Sequence, residues 1–444
     1  MMNRFLKVWD GLSTSFWFVP SLMVLSSILL ALVMLKFDRS LGEENWFMDL
    51  TWQFQRGPEG SRSLLSVVAG SMMTITSVTF SITILTLQLA SSQFGPRLLR
   101  SFMRDRGNQV VLGTFIATFT YCLLVLREVN GSDVGEEFVP QLAVAMAVVL
   151  ALASLSVLIY FIHHVAESIQ AENIIDAASR DLEGAIDRLY PESMGRDASK
   201  SRADPPSALP DGFESGARPV TSESSNYVQM IDEDRLMDLA RKHDLVVRLE
   251  VAPGRFLIEG APMARVWPGH RGEEVAEAVR TTFILGRHPT LHPNIRFAID
   301  QLVEIALRAM STGVNDPFTA MNCIDRIGSA LRHLIDREFP SPYRADDEGR
   351  LRVVADRETF ASIADAAFDP LREAVRNNLA VTVRLLSILA VLARQARDPS
   401  IRDTLRQHAN RVHLASREGL EQDCDLEAAE QSYQAAVRAC SGSL

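Results

Sequence analysis

LLSVVAGSMMTITSVTFSITILTLQL (Leu64–Leu89) is the stretch whose reading decides the fold. It is long and apolar enough to cross a bilayer, which takes roughly 20 residues. Yet it carries nine Ser or Thr residues, one Gln and no charge. A helix that only anchors needs none of these. Hydroxyls in a membrane helix must find partners, on the backbone one turn back or on a neighbouring helix. Their placement is ordered. Thr76, Thr79, Thr83 and Thr86 share one helical face, and Ser66, Gly70, Thr74, Ser77, Ser81 and Gln88 share the opposite one. Two opposed polar stripes predict a helix in the middle of a bundle. The first stripe, Thr76, Thr79, Thr83 and Thr86, is the candidate lining of a permeation path. The second, with Ser66, Gly70, Ser77 and Ser81, is the candidate packing surface, because small residues let membrane helices approach closely.

Three further apolar runs flank this one: Phe16–Leu35, Val110–Leu126 and Leu142–Ile162. Together they predict four spans within residues 1–165. The first run is followed by no small-residue cleavage site, so it reads as a retained helix rather than a signal peptide. Loop charges set an orientation. The loop Ala90–Gln109 holds Arg97, Arg100, Arg104 and Arg106 against one acid, whereas Arg127–Gln141 holds one Arg and four acids. Positive-inside then places both termini and the Arg-rich loop in the cytoplasm. Lys36–Ser63 has four basic residues, but its five acids and greater length soften that conflict. The Arg cluster either fixes topology alone or forms a cationic rim at a pore mouth.

The net charge of −10 divides unevenly. Residues 1–165 carry 11 basic and 11 acidic groups, leaving 34 and 44 in the rest. An acidic remainder excludes nucleic acid as a natural partner, since phosphate binding needs clustered Lys and Arg. Cys122, Cys323, Cys424 and Cys440 show neither metal spacing nor CxxC, and read as packing residues.

Beyond the fourth span, helical spacing continues through Ile169, Ile174, Ile175, Leu182, Ile186 and Leu189, predicting one long helix that ends before Pro191. His163 and His164 then sit near the headgroups, either as plain interfacial residues or as a proton sensor. Residues 166–192 form this extension. Residues 193–225 read as a flexible linker, with 15 of 33 positions Ser, Pro or Gly. Residues 226–270 read as a small β module. Val246–Val251 and Arg255–Ile258 flank Pro253-Gly254 as a hairpin, with Ala264–Val266 as a short added strand and Asp232–Lys242 as a preceding helix. Residues 271–444 read as helices throughout: Ile295–Met310, Pro317–Arg337, Glu358–Ala367, Leu371–Ala396, Pro399–Leu420 and Leu426–Ala439. Asp316-Pro317 and Asp398-Pro399 supply an N-cap and a first-turn proline. Leu379–Ala393 is apolar, but Arg384 inside it predicts a buried core helix and not a fifth span.

Few residues suggest chemistry. His288 and His292 are four apart, but a proline follows each and disfavours helix there. With Asp300 and Glu304 they make a conceivable four-ligand set, against the plainer reading of solvated loop histidines. Thr312, Asn315 and Asp316 lie in a turn between two helices, beside free backbone N–H groups that can hold an anion. Asp316 as cap already occupies that end. No phosphate loop, GxSxG or kinase set is present, which argues against an enzyme and implies no cofactor and no metal.

Four strings carry a resemblance: SVTFSIT (Ser77–Thr83), LQLASSQFGPR (Leu87–Arg97), MRDRGNQ (Met103–Gln109) and DQLVEIALRAMSTGVNDPFTA (Asp300–Ala320). They resemble a bacterial family of multi-pass membrane proteins known as domain of unknown function 2254. The resemblance covers most of the chain. It implies four spans plus a cytoplasmic domain, and no activity. The expectation is therefore an α-helical membrane protein with four transmembrane helices and a mostly α cytoplasmic domain carrying a small β module. Its expected function is a channel-like homo-oligomer in membrane lipid, with the path between subunits. The alternative is a membrane-anchored sensor or scaffold without transport. An enzyme built on the His288–Glu304 region is a third reading.

Overall fold

The computed structural model describes residues 17–41, 57–95, 105–129, 138–168, 170–190, 209–287, 295–337, 339, 341–355 and 358–441. The chain forms two compact units, residues 1–174 and 175–444.

Among the described residues, the first unit has four helices long and apolar enough to cross a membrane: α1 (Phe18–Leu41), α2 (Pro58–Phe94), α3 (Arg106–Glu128) and α4 (Gln141–Ser168). Side-chain contacts fix their directions. Ser27 on α1 donates to the Ala117 carbonyl on α3, and Arg39 pairs with Glu128 further along both, so α1 and α3 run parallel. Arg62 at the start of α2 donates to the Val129 carbonyl just past α3, so α2 runs the other way. Tyr121 donates to the Ala143 carbonyl, and His164 meets Asp105, so α4 is also antiparallel to α3. The order is up, down, up, down. Asp38 on α1 accepts from the Leu142 and Ala143 amides, capping α4 from a neighbouring helix. The apolar core joins Leu65 and Ala69 of α2 to Tyr121, Cys122 and Val125 of α3, with Ala143 and Ala147 of α4. A second cluster joins Met72 to Val111, Phe115, Phe161 and Val165. Gly113 lets α1 and α3 touch: an added Cβ would lie 2.5 Å from Met23 Sδ and 3.1 Å from Pro20 Cα.

Helix α4 ends at Ser168, and α5 (Ala171–Leu189) is a separate element. The single long helix expected from periodicity is therefore broken. Gln170 is non-helical, and its carbonyl accepts from Asn173 and Ile174 as the new helix begins. Ile169 lies outside the described residues. Within the second unit, α5 buries Ile175, Leu182 and Ile186, and its Asp187 pairs with Arg337 at 2.6 Å.

The second unit opens earlier than the predicted linker allows. Residues 193–208 lie outside the described residues, but α6 (Phe213–Gly216) and β1 (Arg218–Thr221) follow at once. The reason is long-range: Phe213 is buried against Val246, Leu351 and Val354, contacts that local composition does not reveal. Next come β2 (Asn226–Ile231), α7 (Glu233–Lys242), β3 (Val246–Leu249), β4 (Phe256–Leu257), β5 (Pro262–Trp267), α8 (Glu273–Arg280) and β6 (Phe283–Gly286). Then follow α9 (Ile295–Ala309), α10 (Pro317–Ile335), β7 (Tyr343–Ala345), β8 (Leu351–Ala355), α11 (Phe360–Val375), α12 (Leu379–Gln395), α13 (Pro399–Gly419) and α14 (Asp423–Cys440).

The strands form two sheets, one in the order β1-β5-β3-β8-β7 and one in the order β4-β2-β6. The expected hairpin is absent. β3 pairs with β5 antiparallel and with β8 parallel, while β4 pairs with β2. Val247 is fully buried, so its strand needs neighbours on both sides, and the turn at Gly254 instead bonds its amide to Val228. Strands β6, β7 and β8 likewise fall in the region read as all helix. A buried ion network ties the larger sheet together. Arg352 donates to Asp346 at 2.8 Å and to Asp244 at 2.7 Å, joining the β7–β8 turn to the α7–β3 turn.

The remaining helices pack around α12, which touches α10, α13 and α14. It is the buried core helix expected, with Leu385, Leu386 and Leu389 sealed and Arg384 reaching outward to Asp325. The helix break sits elsewhere than predicted. α11 continues through Pro370, and the chain breaks at Asn378, whose side chain accepts from the Val381 amide and caps α12. Asp316 and Asp398 cap α10 and α13 as their Asp-Pro steps predict.

Candidate functional site

Helix α2 turns the threonine stripe inward and leaves the serine stripe exposed. Thr79, Thr83 and Thr86 are 2%, 9% and 4% exposed, on the face that also buries Leu65, Ala69 and Met72. Thr76 is half-buried. Ser66, Gly70, Thr74, Ser77, Ser81 and Gln88 are all exposed on the outer face of the chain. Met72, on the same face as the threonines, meets Val111 and Phe115. On the outer face, Thr74, Ser77 and Ser81 each donate to the carbonyl one turn back, of Gly70, Met73 and Ser77. Their protons therefore point along the helix, and their oxygen lone pairs remain free to face outward. Met72 already packs beside Phe161 and Val165 near the end of α4, yet α2 runs on to Phe94.

Of the basic cluster, Arg106 is described and exposed, while Arg97, Arg100 and Arg104 lie outside the described residues. Beside Arg106, Asp105 caps α3 by accepting from the Gly107 amide at 2.8 Å. Its other oxygen meets His164 Nε2 at 2.6 Å, and Tyr160 stacks on that ring. Neighbouring His163 points elsewhere, 3.2 Å from Glu167 and exposed.

The turn Ser311–Asp316 is a capped joint. Asp316 accepts from the Phe318 and Thr319 amides at 3.1 Å each and from the Thr319 hydroxyl at 2.6 Å. That hydroxyl, more than any other contact, holds the carboxyl below its ordinary range. Asn315 adopts a left-handed conformation, φ 49°, which Asn tolerates better than most residues. Thr312 is exposed. A carboxylate thus fills the positive end of α10.

His288 and His292, of the four-ligand set, lie outside the described residues. Glu304 pairs with Arg308 at 3.5 Å. Asp300 lines an open cleft of about 370 Å³, together with Arg296, Ser362, Asp365 and Asp369. At its edge stands His408 of α13, 2% exposed, with Phe368 against its ring. Its Nε2 lies 3.2 Å from Asp365, and its Nδ1 lies 3.8 Å from Asp369. Arg411, one turn later, bridges both carboxylates at 3.0 and 3.1 Å. Burial pushes the His408 imidazole below its usual pKa despite the two acids. Sequence reading did not find this cluster. The i, i+4 spacing of Asp365 and Asp369 was visible, but nothing local links them to a histidine on another helix.

Comparison with known proteins agrees with the bundle. The family described as Predicted membrane protein (DUF2254) matches residues 13–391. The chain belongs to this family. Uncharacterized proteins of Mycobacterium bovis and Mycobacterium tuberculosis are each 32% identical over 428 residues, covering 94% of this chain and 79% of theirs. No solved structure matches. All four strings that carry the resemblance, three between Ser77 and Gln109 and one at Asp300–Ala320, fall inside the matched region.

Proposed function

We propose that this DUF2254 protein is a homo-oligomeric permeation protein of the bacterial inner membrane, with its path running between copies. The outward stripe Ser66, Gly70, Thr74, Ser77 and Ser81 of α2 lines that path. The Thr79–Thr86 stripe packs within each copy. Both termini and the second unit lie in the cytoplasm, on the side favoured by the arginines of the Ala90–Gln109 loop.

The observation that carries this reading is an exposed polar stripe on a helix built to cross a bilayer. Lipid offers those oxygens nothing, and a helix meant to face lipid gains from apolar side chains there. Water, a permeant cation or a second copy offers partners. Because the Thr74, Ser77 and Ser81 hydroxyl protons are committed to their own helix, the stripe presents acceptors there. Such a lining favours water and cations over anions, as pore-lining carbonyl and hydroxyl oxygens do. Four spans are too few to enclose a pore alone, and the bundle interior is closed by Phe115, Phe161 and Tyr121. A path between copies follows. The test is cation flux into liposomes holding the full-length protein, compared with Ser77→Leu/Ser81→Leu protein. Loss of flux with the oligomer intact supports the stripe as lining.

The cleft beside His408 favours a second reading, a membrane-anchored sensor whose second unit binds a ligand without transport. Absence of flux under all conditions, together with saturable ligand binding by the full-length protein, would select it.

A further inference from the structure

We propose that Asp365, Asp369 and His408 form a divalent-metal site that opens onto the cleft lined by Arg296, Asp300 and Ser362. This goes beyond the permeation reading and does not depend on it. Two carboxylates one turn apart on α11 and one imidazole from α13 bring three ligand atoms within 4.8 Å of one another. One nitrogen and two oxygens suit a first-row cation of the Mn²⁺ or Fe²⁺ kind, and the cleft leaves room for water or ligand in the open positions.

The histidine argues for a ligand independently of the acids. Both of its ring nitrogens face carboxylate oxygens, and the residue is almost wholly buried. A neutral imidazole carries one proton. One nitrogen then presents a lone pair toward an acceptor, in a place water reaches poorly. A cation among these atoms removes that conflict. Phe368 against the ring holds its orientation. Arg411 occupies the same acids, so it is the built-in competitor. Its side chain is 42% exposed and has solvent to swing into. Arg372 adds a second positive charge at 4.0 Å from Asp369. The site is therefore one that exchanges an arginine for a metal, and its affinity depends on that exchange.

The experiment is an electron paramagnetic resonance titration of Mn²⁺ with full-length protein in detergent, following loss of the free-ion signal. We expect one ion per chain. Asp365→Asn and Asp369→Asn change half-exposed positions and keep the fold, which circular dichroism checks. Each should weaken binding at least as much as loss of an outer-shell partner does, roughly 10–100-fold. Arg411→Gln removes the competitor and should tighten binding by about tenfold or more, an effect that no folding defect imitates. No saturable Mn²⁺ binding by either the unsubstituted protein or Arg411→Gln overturns the proposal. So does binding that both Asn variants retain, because the ion then sits elsewhere.

Discussion

Replacing Asp346 by Asn should strike the larger sheet at its ionic centre. The Asp346 side chain is 3% exposed, as is that of Arg352, its partner at 2.8 Å. The carboxylate also accepts from the Glu348 and Arg350 amides, at 3.0 and 2.9 Å, and so holds the β7–β8 turn closed. Arg352 keeps only Asp244 and the Leu245 carbonyl once Asp346 is neutral, and one of its terminal nitrogens already lacks a partner. Neutralising the buried partner of a buried charge costs about 3–5 kcal/mol, and the counter-charge that remains, Asp244, is 69% exposed and screened by solvent. In a unit of this size each kcal/mol moves the thermal midpoint by about 2–4 °C, so the loss should be roughly 6–20 °C. Trp267 on β5, the one tryptophan after residue 174, reports it by fluorescence during a thermal ramp of the full-length protein. Asp347→Asn, at an exposed neighbour, is the control. The pH dependence follows from the sign of the shift. Arg352 and the turn amides hold the Asp346 carboxyl far below the ordinary carboxylate range, against the opposing effect of burial. A depressed pKa gives stability that is present above the unfolded value, near 4, and is lost as pH falls through the folded value. The gap between Asp346→Asn and the unsubstituted protein should thus be constant from about pH 5 to 7 and narrow only in acid. A shift smaller than that of Asp347→Asn would refute the reasoning.

Other outcomes follow from the same geometry. Gly113→Val should push α1 from α3, costing about 1–3 kcal/mol by overpacking. Gly70→Val, where an added Cβ meets nothing within 4 Å, should leave the single-chain fold alone and weaken the oligomer, as thermal melts and native mass spectrometry would reveal. Asp316→Ala removes the α10 cap and should cost about 1 kcal/mol at neutral pH. Its depressed pKa makes that difference fade below about pH 4, which acid denaturation curves would register. Thr79→Leu with Thr83→Leu enlarges buried side chains and should destabilise the fold in detergent rather than alter ion selectivity.

Much of this fold is legible in the sequence, and the exceptions share a cause. The four spans are local statements about hydropathy, so they survive. Asp316-Pro317 and Asp398-Pro399 are local too, and both caps stand where their chemistry puts them. The hairpin around Pro253-Gly254 failed because β3 takes its second neighbour from β8, about a hundred residues away, and no local pattern encodes that pairing. Phe213 was set in a linker because its pocket comes from Val246, Leu351 and Val354. The helix expected to stop at Ala367 runs on through Pro370, where Phe368 and Leu371 are buried, and the break falls at Asn378. In α2 the periodicity revealed two opposed stripes but not which one faces inward. That choice depends on packing against other helices, as where Met72 of the inward face meets Val111, Phe115 and Phe161. The cluster of Asp365, Asp369 and His408 needs two helices to meet, and its histidine stands in no motif.

The central claim is that cations cross along the outward stripe of α2, between copies of the chain. The most direct test is potassium flux into liposomes containing the full-length protein, measured beside Ser77→Leu/Ser81→Leu protein of the same oligomeric state and protein-free vesicles. The account predicts cation-selective flux that the double substitution abolishes. Flux that survives the double substitution unchanged, or no flux from an intact oligomer, would contradict it.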